Sequence, residues 1–120
     1  MDRKKLLIAD DSEMNRAILA NMLDHDFEII EVSDGREAIA ALQAYRGELS
    51  ALLLDIAMPE MDGFEVLREM KERGWIEEVP TIMISAETGS SYIDRAFELG
   101  ASDYITVPLP PASSAAASST

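Results

Sequence analysis

The sequence has no cysteine. That excludes disulfides, thiolate metal sites and a cysteine nucleophile, and it is compatible with a reducing compartment such as the cytoplasm. Basic residues are scarce: Lys and Arg total 10 against 23 Asp and Glu, for a formal net charge of −13. Such an excess repels the phosphate backbone, so direct nucleic-acid binding is not expected, and it concentrates cations near the surface. Long hydrophobic runs are missing too. The apolar stretch near the N-terminus, Leu6–Ala9, is too short for a signal peptide. No other run approaches the ~20 residues that span a bilayer. Neither G-x-G-x-x-G nor a P-loop occurs, so nucleotide binding of those kinds lacks support. The expectation is a soluble, acidic, cytoplasmic protein without membrane contact.

What is present is enough for one domain. The 120 residues are 48% hydrophobic, so the chain can bury a core. Short apolar runs alternate with helical patterns. Strands are expected at Leu6–Ala9, Glu28–Val32, Ala51–Asp55, Thr81–Ser85 and Asp103–Val107. Between them, Ser12–Asp24 reads as a helix, with Ile18 and Met22, then Leu19 and Leu23, forming one apolar stripe. Asp34 with Glu37, and Asp62 with Glu65, have the spacing of helix starts. Ala38, Ile39 and Leu42 supply the face of one helix, and Phe64, Leu67 and Met70 that of the next. Gly47, Gly74 and Gly100 are read as helix stops, and Ile93 and Phe97 as the apolar face of a helix over Ser91–Leu99. Near-continuous apolar strands alternating with helices imply a parallel sheet covered on both faces, a doubly wound α/β fold.

In such sheets ligands bind beyond the carboxyl ends of the strands. The first strand ends in Asp10 and Asp11, the third in Asp55 and the fourth in Ser85. In the usual five-stranded order the first and third strands are neighbours, so three carboxylates converge. Like charges that close repel, and each tends to take up a proton unless a divalent cation neutralises them. Oxygen-only ligands suit Mg2+. A carboxylate beside Mg2+ can also attack a phosphoryl group to form an aspartyl phosphate, and the Ser85 hydroxyl could donate to one phosphoryl oxygen. Any one of these residues taken alone could simply cap a helix, as Asp11 or Ser12 could.

The segments IADDSEMNR, LLLDIAMPEMDGFEVL, TIMISA and GASDYITVP resemble the successive signatures of response regulator receiver domains, from Lys5 to about Pro108. The run D-x-x-M-P-x-M-D-G after an apolar strand is the specific part. The resemblance implies a flavodoxin-like five-stranded sheet in the order 2-1-3-4-5. It implies a signalling phosphoacceptor of a two-component system, not an enzyme in the ordinary sense, that takes part in its own phosphorylation and dephosphorylation. Asp55 would accept phosphate from a sensor histidine kinase or phosphotransfer protein. Asp11, Asp55 and the Ala57 backbone carbonyl would ligate Mg2+, with Asp10 acting through water. Ser85 would close on the phosphate, and Tyr104 would rotate inward, reporting to an output domain or partner through the face formed by the fourth helix and fifth strand. Read without the resemblance, Tyr104 is a half-buried aromatic residue of an edge strand. Pro59 and Gly63 suit a turn at the floor of the site.

Two departures from the family pattern stand out. Val107 occupies the position of a lysine that normally approaches the acceptor carboxylate as a mobile charge. Residues 109–120 form a Pro/Ala/Ser-rich tail without a large apolar stripe, where a receiver domain continues into an amphipathic fifth helix. The domain is therefore placed at 1–108, with the fifth helix missing or degenerate. An apolar face left uncovered by that loss implies self-association, exchange of elements or marginal stability.

Two other functions compete. A pseudo-receiver would keep the fold for binding or assembly without productive switching, because of Val107. A haloacid-dehalogenase-type hydrolase resembles this arrangement in its nucleophilic Asp, but wants a second Asp where Ala57 stands. His25, the single histidine, reads as a surface residue near a helix end, Trp75 as a partly buried loop anchor, and the seven methionines mostly as core filler.

Overall fold

The computed structural model describes residues 4–85 and 89–106. Strands β1 (Lys4–Ala9), β2 (Phe27–Val32), β3 (Leu49–Asp55), β4 (Thr81–Ser85) and β5 (Asp103–Thr106) alternate with helices α1 (Glu13–Leu23), α2 (Gly35–Tyr45), α3 (Gly63–Arg73) and α4 (Ser90–Glu98). All strand pairings are parallel, in the order β2-β1-β3-β4-β5. This is the flavodoxin-like arrangement the resemblance implied. Among the described residues there are four α-helices, and no helix is long and apolar enough to cross a membrane. The expectations about Val107, the tail and a fifth helix fall on positions outside the described residues.

The β3 sequence shows why the sheet is buried on both sides. Leu52 and Leu54 pack into the larger core with Leu7, Ala38, Leu42, Leu67 and Met70, whereas Leu53 points the other way, to Leu6, Ile8 and Ile84. Successive side chains of a strand face opposite ways, so a run with no polar alternation needs cover on both faces. Helices α2, α3 and α4 supply it on the larger side, and α1 on the smaller.

Local signals set the helix starts. Ser12, Asp34 and Asp62 are N-caps whose side chains accept the backbone N–H three residues on, and Asp62 with Glu65 closes a full capping box. Gly74 and Gly100 adopt positive φ, as befits helix stops. Gly47 does not: α2 ends at Tyr45 and runs into a 3-10 turn, Arg46–Glu48, so no left-handed residue is needed there. The single apolar stripe expected on α1 is split. Leu19 and Leu23 pack on the sheet, but Ile18 and Met22 are exposed. On α4 the buried residue is Ala96, whereas Phe97 is exposed. Trp75 is more deeply buried than a partly buried anchor, with the Arg46 and Arg73 guanidinium groups 4.9 and 4.8 Å from its ring centre. Met70 and Met83 fill the core as expected, but Met14 and Met22 face solvent.

Candidate functional site

Strand register brings the acidic residues together. Ala9 of β1 lies opposite Leu54 of β3, so the next residues along, Asp10 and Asp55, leave the same edge of the sheet side by side. Asp55 in turn lies opposite Ile84 of β4, which places Ser85 one step beyond it at that edge. Carboxylate oxygens of Asp10, Asp11 and Asp55 all lie within 4.8 Å of one another. Asp10 is only 2% exposed, Asp11 is open to solvent, and Asp55 lies between these extremes. Ser85 is buried.

Electrostatics follow from this crowding. Asp55 is pushed up from 3.8 to about 7, first by burial and then by the negative charge of Asp10, with Asp11 adding less. The backbone N–H groups of Ile56 and Ala57 donate to its carboxylate and oppose the rise. Burial also raises Asp10, against hydrogen bonds from the Ser12 backbone N–H (2.8 Å) and the Asn15 side chain. Burial and mutual repulsion outweigh these hydrogen bonds and the nearby Arg16 charge, an arrangement that a bound cation would relieve. Oxygens on opposite sides of one Mg2+ ion are about 4.2 Å apart. The spread of 4.8 Å therefore fits a single hard cation when one carboxylate acts through a water molecule.

Several residues that shape the site were not singled out from sequence. Arg16, one turn into α1, donates from Nη1 to the Asp10 carbonyl at 2.6 Å and from Nε to Glu31 at 3.2 Å, tying the end of β1 to β2. Its signal, and that of Asn15, was proximity to the acidic pair in the first turn of a capped helix. Gly63 does more than turn the chain. A Cβ there would sit 2.8 Å from Ile56 Cα and closer still to the Asp55 carbonyl, so only glycine lets α3 start against the end of β3. Its N–H donates to the Ile56 carbonyl at 2.8 Å. Glu60 in the same loop holds φ at +69°, with the Met61 N–H reaching the Pro59 carbonyl at 2.7 Å, a three-residue turn rare outside constrained loops. Tyr104 is half-buried on β5 and packs against the larger core. Ala57 is exposed just beyond β3. Val107 lies outside the described residues.

The family model described as "Response regulator receiver domain" matches residues 6–117. The chain belongs to the response regulator receiver domain family. A two-component response regulator of Oryza sativa subsp. japonica, ORR5, is 34% identical over 107 residues, covering 88% of this chain and 79% of its own length. Among solved structures, CheY in a CheX–CheY–BeF3–Mg2+ complex from Borrelia burgdorferi is similar at 30% identity and a TM-score of 0.82, covering 88% of this chain and 79% of that one. The phosphorylated cyanobacterial phytochrome response regulator RcpA is similar at 27% identity and a TM-score of 0.81, covering 90% and 83%. Receiver domains are signalling proteins that interact with kinases or phosphotransfer proteins and with output domains, and they bind Mg2+ through an acidic pocket. In this chain Asp10, Asp11 and Asp55 form a cluster of carboxylates that could hold a metal ion.

Proposed function

We propose that this receiver domain accepts a phosphoryl group on Asp55 in a Mg2+-dependent reaction, from a phosphohistidine of a sensor kinase or phosphotransfer protein. The observation that carries this is the position of Asp55: partly exposed at the end of β3, with its carboxylate oxygens within 4.8 Å of those of Asp10 and Asp11. A carboxylate oxygen of Asp55 attacks phosphorus, the N–P bond breaks, and the imidazole leaves with the bonding pair and takes up a proton. Attack needs the ionised carboxylate, and a value of about 7 leaves Asp55 roughly half protonated at neutral pH. Bound Mg2+ supplies the positive charge that keeps Asp55 ionised and balances the phosphoryl oxygens. Asp11, Asp55 and the Ala57 carbonyl would hold it directly, and Asp10 through water. That the similar RcpA was solved phosphorylated, and the Borrelia CheY with BeF3 and Mg2+, supports this reading.

Ser85 then donates a hydrogen bond to a phosphoryl oxygen. Tyr104, next to β4 across the Met83 pairing, transmits that shift to the α4–β5 face, where an output domain or partner reads it. The second reading is the pseudo-receiver, favoured by Val107 in place of lysine. Incubation with Mg2+ and a small-molecule phosphodonor, followed by intact-mass measurement, separates the two. A gain of one phosphoryl group that disappears in Asp55→Ala supports the phosphoacceptor. No gain in the unaltered chain refutes it in favour of the pseudo-receiver.

A further inference from the structure

Glycine opens helix α2, and nothing about the helix itself asks for it. Gly35 follows the N-cap Asp34 at the first helical position, and its φ is not positive. Glycine is the poorest helix former after proline, so at this conformation most other residues would serve the helix better. The reason lies on another element. A Cβ on Gly35 would stand 2.6 Å from Met61 Cβ and 2.7 Å from the Met61 carbonyl carbon, and closer still to the carbonyl oxygen. Two of these three atoms are backbone, so no side-chain rotation clears the space. Met61 belongs to the loop between β3 and α3, which also carries Ala57.

The two sides of this contact are not equally free. Helix α2 is pinned by Ala38, Ala41 and Leu42, which are buried in the larger core. Just ahead of it the Val32 carbonyl accepts the Asp10 N–H at 3.1 Å, so the start of α2 is tied to the acidic pair. The loop is closed at its base, where the Gly63 N–H donates to the Ile56 carbonyl. Between those ends Ala57, Pro59 and Glu60 are exposed. The Arg36–Glu60 ion pair, at 3.9 Å between exposed side chains, adds little restraint. A side chain at position 35 therefore displaces the loop and not the helix, by about 1 Å if carbon atoms are to reach their ordinary separation of about 3.5 Å.

We propose that Gly35 is a positioning residue for the metal site. By letting the Met61 backbone seat against the first turn of α2, it sets where Ala57 stands relative to Asp10, Asp11 and Asp55. The role rests on the reading of that cluster as a Mg2+ site, and Gly35 itself touches neither the metal nor the phosphoryl group.

Isothermal titration of the 120-residue chain with Mg2+ tests this, and as a binding readout it stands whether or not Asp55 is phosphorylated. Gly35→Ala should bind Mg2+ at least about tenfold more weakly, as expected for a group that orients a metal's ligands. Ala41→Gly weakens the same helix away from the loop, and Gly47→Ala places a Cβ that meets nothing within 4 Å. Both should bind Mg2+ as the unaltered chain does, although Ala41→Gly melts earlier. A nuclear magnetic resonance titration of the unaltered, isotope-labelled chain needs no variant to fold. In it Mg2+ should shift the Gly35 amide resonance in step with binding and leave those of Gly47 and Gly74 in place. Equal Mg2+ affinity in Gly35→Ala and the unaltered chain overturns the positioning role and leaves the metal site standing. So does an equal weakening in Ala41→Gly, or a Gly35 resonance that Mg2+ does not move. An unaltered chain that binds no Mg2+ overturns both.

Discussion

Replacing Asp55 by Asn should stabilise the metal-free protein at neutral and alkaline pH. Asp55 is raised from 3.8 to about 7 by burial and by Asp10. Its folded value lies above its unfolded one, so the stability linked to it is fully present below pH ~4 and is lost as pH rises through about 7. A rise of that size corresponds to about 4 kcal/mol. Partial exposure of the carboxylate and screening by ions reduce this to about 2 kcal/mol. Part of that is already lost at pH 5, where the unfolded chain is ionised and the folded one is not. In chelator, the advantage of Asp55→Asn over the unaltered chain should therefore grow by about 1–2 kcal/mol between pH 5 and pH 8, or roughly 5–10 °C in Tm. Mg2+ should reverse the ranking. At a hundredfold excess over Kd it adds about 2.7 kcal/mol to a protein that binds it, which more than offsets the repulsion. The variant, lacking one of the three carboxylates, should gain little. Urea unfolding at the two pH values, with chelator or with MgCl2, measures all four states. An advantage that stays flat with pH, or an equal Mg2+ gain in both proteins, would refute the electrostatic account of the site.

Three further outcomes are expected. Gly63→Ala forces a methyl group against the Asp55 backbone and should cost about 1–3 kcal/mol in urea unfolding, with weaker Mg2+ binding by isothermal titration because β3's end is displaced. Asp62→Ala removes the capping box of α3 and should cost about 1 kcal/mol by thermal unfolding. Leu52→Ala opens a cavity in the larger core and should cost about 2–5 kcal/mol, without changing which residue is phosphorylated as read by intact mass.

Much of the fold was legible because its signals are local. Ser12, Asp34 and Asp62 announce helix starts through hydrogen bonds to residues three positions away, which spacing alone reveals. The β3 run reads as a two-sided buried strand for the same reason. Where several local solutions exist, sequence did not choose among them. Gly47 looked like Gly74, yet only Gly74 takes the left-handed conformation, because a 3-10 turn already closes α2.

The sequence by itself determined that three carboxylates and a serine stand at the ends of buried strands, and the motif around Asp55 identified the family they resemble. Only the tertiary structure decided that Asp10, Asp11 and Asp55 share one site, since that depends on β1 lying beside β3, a pairing between residues such as Ala9 and Leu54, 45 positions apart. It also decided which of two adjacent apolar edges of α1 faces the sheet. Ile18 and Leu19 are 100° apart on the helix and chemically alike, so rotation of the whole helix, not the character of either residue, sends one inward and leaves the other in water. And it showed why Gly63 must be glycine: the reason is a backbone approach across the loop, which no side chain in the sequence records.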